Sequence, residues 1–327
     1  MRFSIVIPVY NVAEYLQKCI DSVMAGDCSD CEILLVDDGS TDGKSGAICD
    51  ENAARRPDLI QVIHQENKGL GGARNTGLMA AKGEYLFFVD SDDTIAPGSL
   101  ALLSREIDKT HADIYSFPMD QDDGTGNLRR IETSRHYDSP FALKDHPEFL
   151  RSLPAAWARI WRREFFLSSG ILYPTKVWYE DIRTSQKLFA LAGSIVTLDE
   201  PLYRYLVRPG SIMRNGNVER NREILDAFQD LLSWFRERGL FETYRRELCR
   251  LAVEHLYIVA SVRVLQADPK HPLLTTFRQT LQKEFPDYRS LAKPGAFSGS
   301  QRLAYSLLEA RCYGLLALLF RLKNAGK

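Results

Sequence analysis

The first 120 residues alternate short β-branched runs with amphipathic stretches, and this alternation constrains the fold more than any other feature of the chain. Residues 3–8 form a near-continuous apolar run of the kind found in strands buried on both faces. Val12, Tyr15, Leu16, Cys19, Ile20 and Val23 then recur at helical spacing, with Asn11 placed to cap the helix and Glu14 three residues on. The same patterning predicts strands at 32–36, 60–64, 85–89 and 113–117, and helices at 47–56, 71–81 and 99–110. Strands that alternate with helices imply a parallel sheet with right-handed crossovers, an α/β fold. Ligands of such sheets bind outside the carboxyl ends of the strands. Polar clusters fall at those ends, at 8–11, 37–42, 65–74 and 90–93. Four separate segments therefore aim at one crevice.

The rest of the chain reads less regularly. Residues 118–140 are polar and rich in Gly and Asp, which predicts a surface excursion. Trp157, Ile160, Trp161 and Phe165 suit one face of a helix, 181–191 another helix, and 195–198 and 202–205 short strands. From about residue 218 the pattern is helical, interrupted at Pro269, Pro272, Pro286 and Pro294. A length of 327 residues suits about two domains. Charge marks the expected boundary: residues 1–215 carry a net of −7 and residues 216–327 a net of +6. The overall net of −1 excludes a general nucleic-acid binder, which would be basic throughout.

Cys28 and Cys31 form a lone CxxC with no second pair, so the six cysteines read as reduced thiols of a cytoplasmic protein rather than a zinc site. No long apolar stretch follows a basic start, and no window of 18 residues is uncharged and apolar. Neither a signal peptide nor a spanning helix is expected. Residues 285–327 hold seven Lys/Arg and two Asp/Glu. Within them, 312–320 is a nine-residue uncharged apolar run flanked by Arg311, Arg321 and Lys323. It is too short to span a bilayer but suits a helix lying at an anionic membrane surface. The same pattern suits a helix packed on the catalytic region or on a second subunit, as in a homodimer.

Chemistry concentrates in five segments. In Asp90-Ser91-Asp92-Asp93, three carboxylates repel one another unless a cation intervenes, and hard oxygen ligands suit Mg²⁺ or Mn²⁺ shared with substrate phosphates. Acids also suit a helix N-terminus. Asp37-Asp38-Gly39-Ser40 offers a carboxylate to a base or ribose, or forms only a turn. The glycine-rich stretch 67–75 fails the dinucleotide fingerprint, because Arg74 holds the last glycine position counted from Gly69 and the stretch follows the third strand. An NAD dehydrogenase is thereby set aside. The stretch reads instead as a flexible approach to a ligand, with Arg74 gripping phosphate, or as a helix start with a solvated arginine. Trp178-Tyr179-Glu180-Asp181 places aromatic faces for a sugar beside a carboxylate able to deprotonate a hydroxyl, or simply begins a helix. Arg208-Pro209-Gly210-Ser211 could bring a cation and a hydroxyl to a diphosphate, or could be a turn. The six histidines show no ligand spacing.

These segments, in this order, resemble family 2 glycosyltransferases over about residues 3–215. The likeness lies in Ile7-Pro8-Val9-Tyr10-Asn11, 36–42, Asn67 to Gly77 with Ala73-Arg74-Asn75, 89–93, Glu180-Asp181, and Tyr203 to Ser211. The resemblance implies a GT-A fold, a Rossmann-like and mostly parallel sheet, followed here by a C-terminal helical region. It also implies inverting transfer from a nucleotide-diphosphate sugar, UDP-linked by default, to a saccharide or lipid-linked acceptor, with a divalent metal. Pro8, Tyr10 and Glu14 would then line the nucleoside pocket and Asp38 would contact the base. Arg74 and Asp90 would lie along the ribose and diphosphate, with Arg208 beyond. Asp92 would hold Mn²⁺ or Mg²⁺ with Asp93 close by, Asp181 would be the general base, and Glu180 would contact the acceptor. Two other classes compete. A nucleotidyltransferase would want a basic glycine-rich loop after the first strand, where Pro8-Val9-Tyr10-Asn11 stands. A carbohydrate-binding module would need neither the metal acids nor Asp181.

Overall fold

The structure, a computed structural model, describes residues 1–208 and 218–325, the side chains of 296 and 321–325 aside. The chain forms two compact units, Met1–Pro209 and Gly210–Lys327.

The first unit runs β1 (Phe3–Val9), α1 (Ala13–Met24), β2 (Cys31–Asp37), α2 (Ser45–Arg55), β3 (Ile60–His64), α3 (Gly69–Ala80), β4 (Tyr85–Phe88), β5 (Thr94–Ile95) and α4 (Ser99–Thr110). It continues through β6 (Ile114–Ser116), β7 (Met119–Asp122), β8 (Leu128–Ile131), β9 (Arg159–Arg162), α5 (Arg163–Ser168), α6 (Glu180–Leu191), β10 (Ile195–Thr197) and β11 (Tyr203–Leu206). A seven-stranded sheet has the order β10-β6-β9-β4-β1-β2-β3. All its pairings are parallel except those of β9 with β4 and β6. Every residue of β1 and β2 is buried, which explains their continuous apolar runs: helices cover both faces of the sheet centre. α1 contributes Leu16, Cys19, Ile20 and Val23 to the core, and α4 contributes Leu100, Leu103 and Ile107.

Two local expectations give way, and a third, the surface excursion at 118–140, gains strands. Asn11 does not cap α1, which begins at Ala13 without a side-chain cap. Asn11 adopts φ +49°, and its Oδ1 accepts from the backbone N–H of Thr41 (2.7 Å) and Asp42 (3.1 Å). It thus ties the end of β1 to the loop after β2. The segment around Trp157–Phe165 is not one helix. A 3₁₀ turn at Ala156–Ala158 leads into β9, which lies antiparallel between β4 and β6. Arg159, Ile160 and Trp161 are fully buried there, and a segment this short shows neither the helical nor the strand period clearly. Residues 118–140 hold β7 and β8, part of a second sheet of order β5-β11-β7-β8. Most β7 and β8 side chains are exposed or half-exposed, so no apolar alternation announces them.

The second unit is helical: α7 (Glu223–Glu237), α8 (Phe241–Leu251), a π-helical stretch Ala252–Val259, α9 (Ala260–Ala267), α10 (Leu273–Glu284), α11 (Tyr288–Leu291), α12 (Gly299–Glu309) and α13 (Tyr313–Ala325). The breaks after α9, α10 and α11 fall at the prolines. Among the described residues no helix is long and apolar enough to cross a membrane.

α3 lies unusually close to its neighbours because its glycines have no Cβ. A Cβ on Gly77 would stand 2.2 Å from Val6 Cγ1 in β1, and one on Gly71 would stand 2.2 Å from the Pro174 carbonyl oxygen. Gly77→Ala in an open helix would gain about 1 kcal/mol from helix propensity. Here the clash with Val6 reverses the sign, and the variant is expected to lose about 1–3 kcal/mol in urea denaturation. A stabilised variant would show that α3 does not seat on β1 in this way.

Candidate active site

The carboxyl ends of β1, β2, β3 and β4 bring the expected segments together. Pro8 is buried in β1, Tyr10 just beyond it is exposed, and Glu14 is exposed in the first turn of α1. Asp38 is buried, and its Oδ1 accepts from Gln65 Nε2 (2.6 Å) and the Lys68 N–H (2.8 Å). It therefore fastens the end of β2 to the loop entering α3. Asp37 accepts from the Ser40 N–H, and His64 lies between Asp37 (2.8 Å) and Asp50 (3.0 Å). Hydrogen bonds to Asp50 and Asp37 raise the His64 pKa.

The acid cluster after β4 gives each of its three carboxylates its own partners. Asp90 Oδ1 accepts from Arg74 (2.9 Å), and Asp92 Oδ2 accepts from Arg208 Nε (2.7 Å). Asp93 is only 1% exposed and accepts from the Tyr203 hydroxyl (2.7 Å) and the Leu206 N–H (2.8 Å). Burial, then Asp92 and Asp90, push its carboxyl well up. Tyr203 in turn accepts from the Asp90 N–H (3.1 Å) and stacks on Trp157 with ring centroids 4.5 Å apart. Asp93 thus anchors β11 rather than facing the crevice. Tyr203 and Trp157 do not stand out in the sequence as site residues; only the alternation of Tyr203 and Tyr205 on one strand face points to a shared stack on Trp157. Ser211, Pro209 and Gly210 lie outside the described residues.

Arg74 departs most from expectation. Its guanidinium is 1% exposed, and Nη1 donates to Glu180 (2.9 Å) and Asp181 (2.8 Å) while Nη2 donates to Asp90. Tyr173 lies beneath it, 5.4 Å from ring centroid to Cζ. A guanidinium committed to three carboxylates is not an open phosphate grip. Nor is 67–75 a flexible approach to a ligand. Gly69 and Gly71 are covered by the backbone of residues 174–176, which delivers the start of α6 to Arg74. Burial alone would discharge Arg74, but Asp181, Asp90 and Glu180 outweigh it and hold its pKa well above the ordinary value.

Asp181 carries the group best suited to proton transfer. Its side chain is 22% exposed, so solvent or a substrate can reach it. Burial raises its pKa, Arg74 opposes, Glu180 raises it further and Arg159 opposes, leaving it pushed up to about 7. Arg159 is fully buried, donates to the carbonyls of Ala155 (3.0 Å) and Leu153 (2.7 Å), and lies 4.7 Å over the Phe189 ring. Burial depresses it to about 9. Sequence alone gives no sign of this second cation, because an arginine in a strand carries no pattern.

The residues present also fit a divalent cation. Asp90 and Asp92 are each 23% exposed. Each has one oxygen on an arginine, and the other has no hydrogen-bond partner among the described residues. Among the described residues no three His, Cys, Asp or Glu side chains form a ready-made cage. One or two carboxylates completed by substrate phosphates is the usual arrangement for Mg²⁺.

Comparison with known proteins identifies the family and the fold. The Glycosyl transferase family 2 model matches residues 4–166. GlyG of Streptococcus pneumoniae, a glycosyltransferase, is 30% identical over 249 residues, covering 70% of this chain and 79% of GlyG. The uncharacterized glycosyltransferase EpsJ of Bacillus subtilis is 35% identical over 215 residues, covering 64% of this chain and 62% of EpsJ. The chain therefore spans somewhat under two thirds of EpsJ. Among solved structures, S. aureus TarS 1-349 superposes with a TM-score of 0.65 at 20% identity, covering 100% of this chain and 92% of that 1-349 chain. The mannosyltransferase PcManGT of Pyrobaculum calidifontis, solved with GDP-Man and Mn²⁺, gives 0.55 at 19% identity, covering 94% and 86%. The chain belongs to glycosyltransferase family 2 and has the GT-A fold.

Removing Arg74 leaves three acids facing one another. Arg74→Met is expected to cost about 3–5 kcal/mol of stability at neutral pH, as breaking buried ion pairs does. Burial already raises the pKa of Asp90 and Asp181, and without Arg74 to oppose it both stand further above their unfolded values. Their penalty is absent below the unfolded pKa and grows as pH rises through the folded one. Denaturation of the variant at about pH 5 and about pH 8 should show a markedly smaller deficit at the lower pH. An equal deficit would mean that packing, not charge, is lost.

Proposed function

We propose that the first unit transfers a glycosyl group from a nucleotide-diphosphate sugar to an acceptor hydroxyl, inverting the anomeric centre. One observation carries this reading: Arg74 joins an acid at the donor end of the sheet, Asp90, to a half-buried but reachable base at the start of α6, Asp181, in one hydrogen-bonded set. Family membership supports it. The donor nucleoside would lie against Pro8, Tyr10 and Glu14, beside the loop that Asp38 fastens, with UDP as the default nucleotide. Its diphosphate would run toward Asp90, Asp92 and Arg208.

Asp90 and Asp92 would hold Mn²⁺ or Mg²⁺, while Asp93 positions β11. The cation, when bound, neutralises charge that develops on the departing diphosphate. Trp178 and Tyr179 offer aromatic faces to the acceptor sugar, and Glu180 contacts it. Asp181 accepts the hydroxyl proton as the acceptor oxygen bonds to the anomeric carbon. The bond from that carbon to the diphosphate oxygen breaks on the opposite face, which inverts the centre. A pKa near 7 keeps Asp181 competent to take a proton at neutral pH. The acceptor would be a saccharide or lipid-linked glycan of cell-surface polysaccharide or glycolipid synthesis, met on the cytoplasmic side.

Asp181→Asn is nearly isosteric but cannot take the proton. Turnover, read as nucleoside diphosphate released in the presence of acceptor, should fall about 10²–10⁴-fold while calorimetry shows unchanged donor binding. Turnover within a few-fold of wild type would place the base elsewhere. The base works only when ionised, so wild-type kcat/KM should rise with pH and level off above about 7.

A thermal-shift screen of UDP- and GDP-sugars with and without Mn²⁺ identifies the donor, since a ligand that binds only the folded state must stabilise it. The Mn²⁺-dependent part of that shift should vanish in Asp92→Asn. Its persistence would remove Asp92 from the cation site.

A further inference from the structure

In the second unit, α13 buries Leu316 and Ala317 and leaves Leu315, Leu318 and Leu319 out. These three sit at i, i+3 and i+4, so they share one face of the helix. α12, which packs on α13, presents Leu303. These four leucines are between 37% and 52% exposed, and they are the only large exposed apolar side chains among the described residues of the second unit. Scattered exposed leucines need no explanation, but a concentration on two adjacent helices does.

The C-terminal segment that carries them has a basic excess in its sequence. Residues 285–327 carry seven Lys/Arg against Asp287 and Glu309. Both acids are already neutralised. Asp287 pairs with Arg245, and Glu309 accepts from Arg289 (2.6 Å), Tyr288 (2.7 Å) and Tyr257 (3.1 Å). Lys293, Arg302 and Arg311 are exposed and have no ion pair among the described residues. Exposed leucines with unpaired cations close by in the chain, Arg302 beside Leu303 and Arg311 four residues before Leu315, are the composition of a surface that rests on anionic lipid. A second copy of the chain would bring the same cations against themselves. The 13 described residues of α13 reach about 20 Å, enough to lie along a bilayer surface, and no described helix is long and apolar enough to cross a membrane.

We infer that the exposed face of α13, with Leu303 of α12 and the cations Lys293, Arg302 and Arg311, docks the protein on an anionic membrane surface. The leucines enter the acyl boundary and the cations meet lipid phosphates. This surface belongs to the second unit, and its test does not depend on turnover.

The full chain should co-sediment with vesicles of phosphatidylcholine mixed with phosphatidylglycerol, and not with phosphatidylcholine alone. Raising salt from about 0.1 M to about 0.5 M should weaken binding, because the Debye length shrinks. Leu315→Gln with Leu318→Gln, at exposed positions, should leave the melting temperature unchanged and reduce binding about tenfold or more. Arg302→Gln with Arg311→Gln should do the same and also flatten the salt dependence. Absence of binding to the mixed vesicles would overturn the inference, as would binding that both double variants leave intact. So would a wild-type dimer in sedimentation velocity that the leucine variant converts to monomer without any vesicle binding. That result would make the face a self-association surface.

Discussion

The guanidinium of Arg74 is the interaction on which the catalytic unit depends. Moving a cation out of water is costly, and so is crowding three carboxylates in a partly dry site. Placed together they relieve one another, and neither side of the set would be tolerated alone. The arrangement needs α3 against both β1 and residues 173–176, which is why Gly77 faces Val6 and Gly71 faces the Pro174 carbonyl. The partners lie 106, 107 and 16 residues beyond Arg74 in the chain. One side chain therefore holds the strand-end acids and the start of α6 in a fixed relation.

Three nearly identical acids become three different groups by the same logic. Asp90 faces Arg74, Asp92 faces Arg208, and Asp93 turns inward to Tyr203 and the Leu206 N–H. Each separation lowers the repulsion within the cluster. Tyr203 adds a second fastening, since it bridges Asp93 and the Asp90 N–H while lying flat on Trp157. β11 is thereby attached to the acid loop, and Arg208 follows two residues after it. Asp181 shows how opposing effects set one value. Burial and Glu180 disfavour its charge, Arg74 and Arg159 favour it, and the balance rests near neutrality.

Much of this was legible before any coordinates. The strand and helix order of residues 3–117 follows from apolar period, and the convergence of 8–11, 37–42, 65–74 and 90–93 follows from the parallel sheet they imply. What failed shares a cause. β9, Arg-Ile-Trp-Arg, could not be told from a helix because two apolar residues between arginines set no period, and β7 and β8 carry few buried side chains to mark them. Asn11 has the composition of a cap, but a loop 30 residues away competes for its carboxamide.

The sequence by itself determined the layer architecture, the ligand edge and the residue types that gather there, because period and turn chemistry are local. Only the tertiary structure decided what each charged residue does. An arginine after a glycine run reads equally as a phosphate grip or as a buried bridge until the chain at 173–181 folds over it. An aspartate reads equally as a metal ligand or as an anchor until Tyr203 arrives from 110 residues away. Charge acts through space and desolvation, and neither is written in the order of the residues.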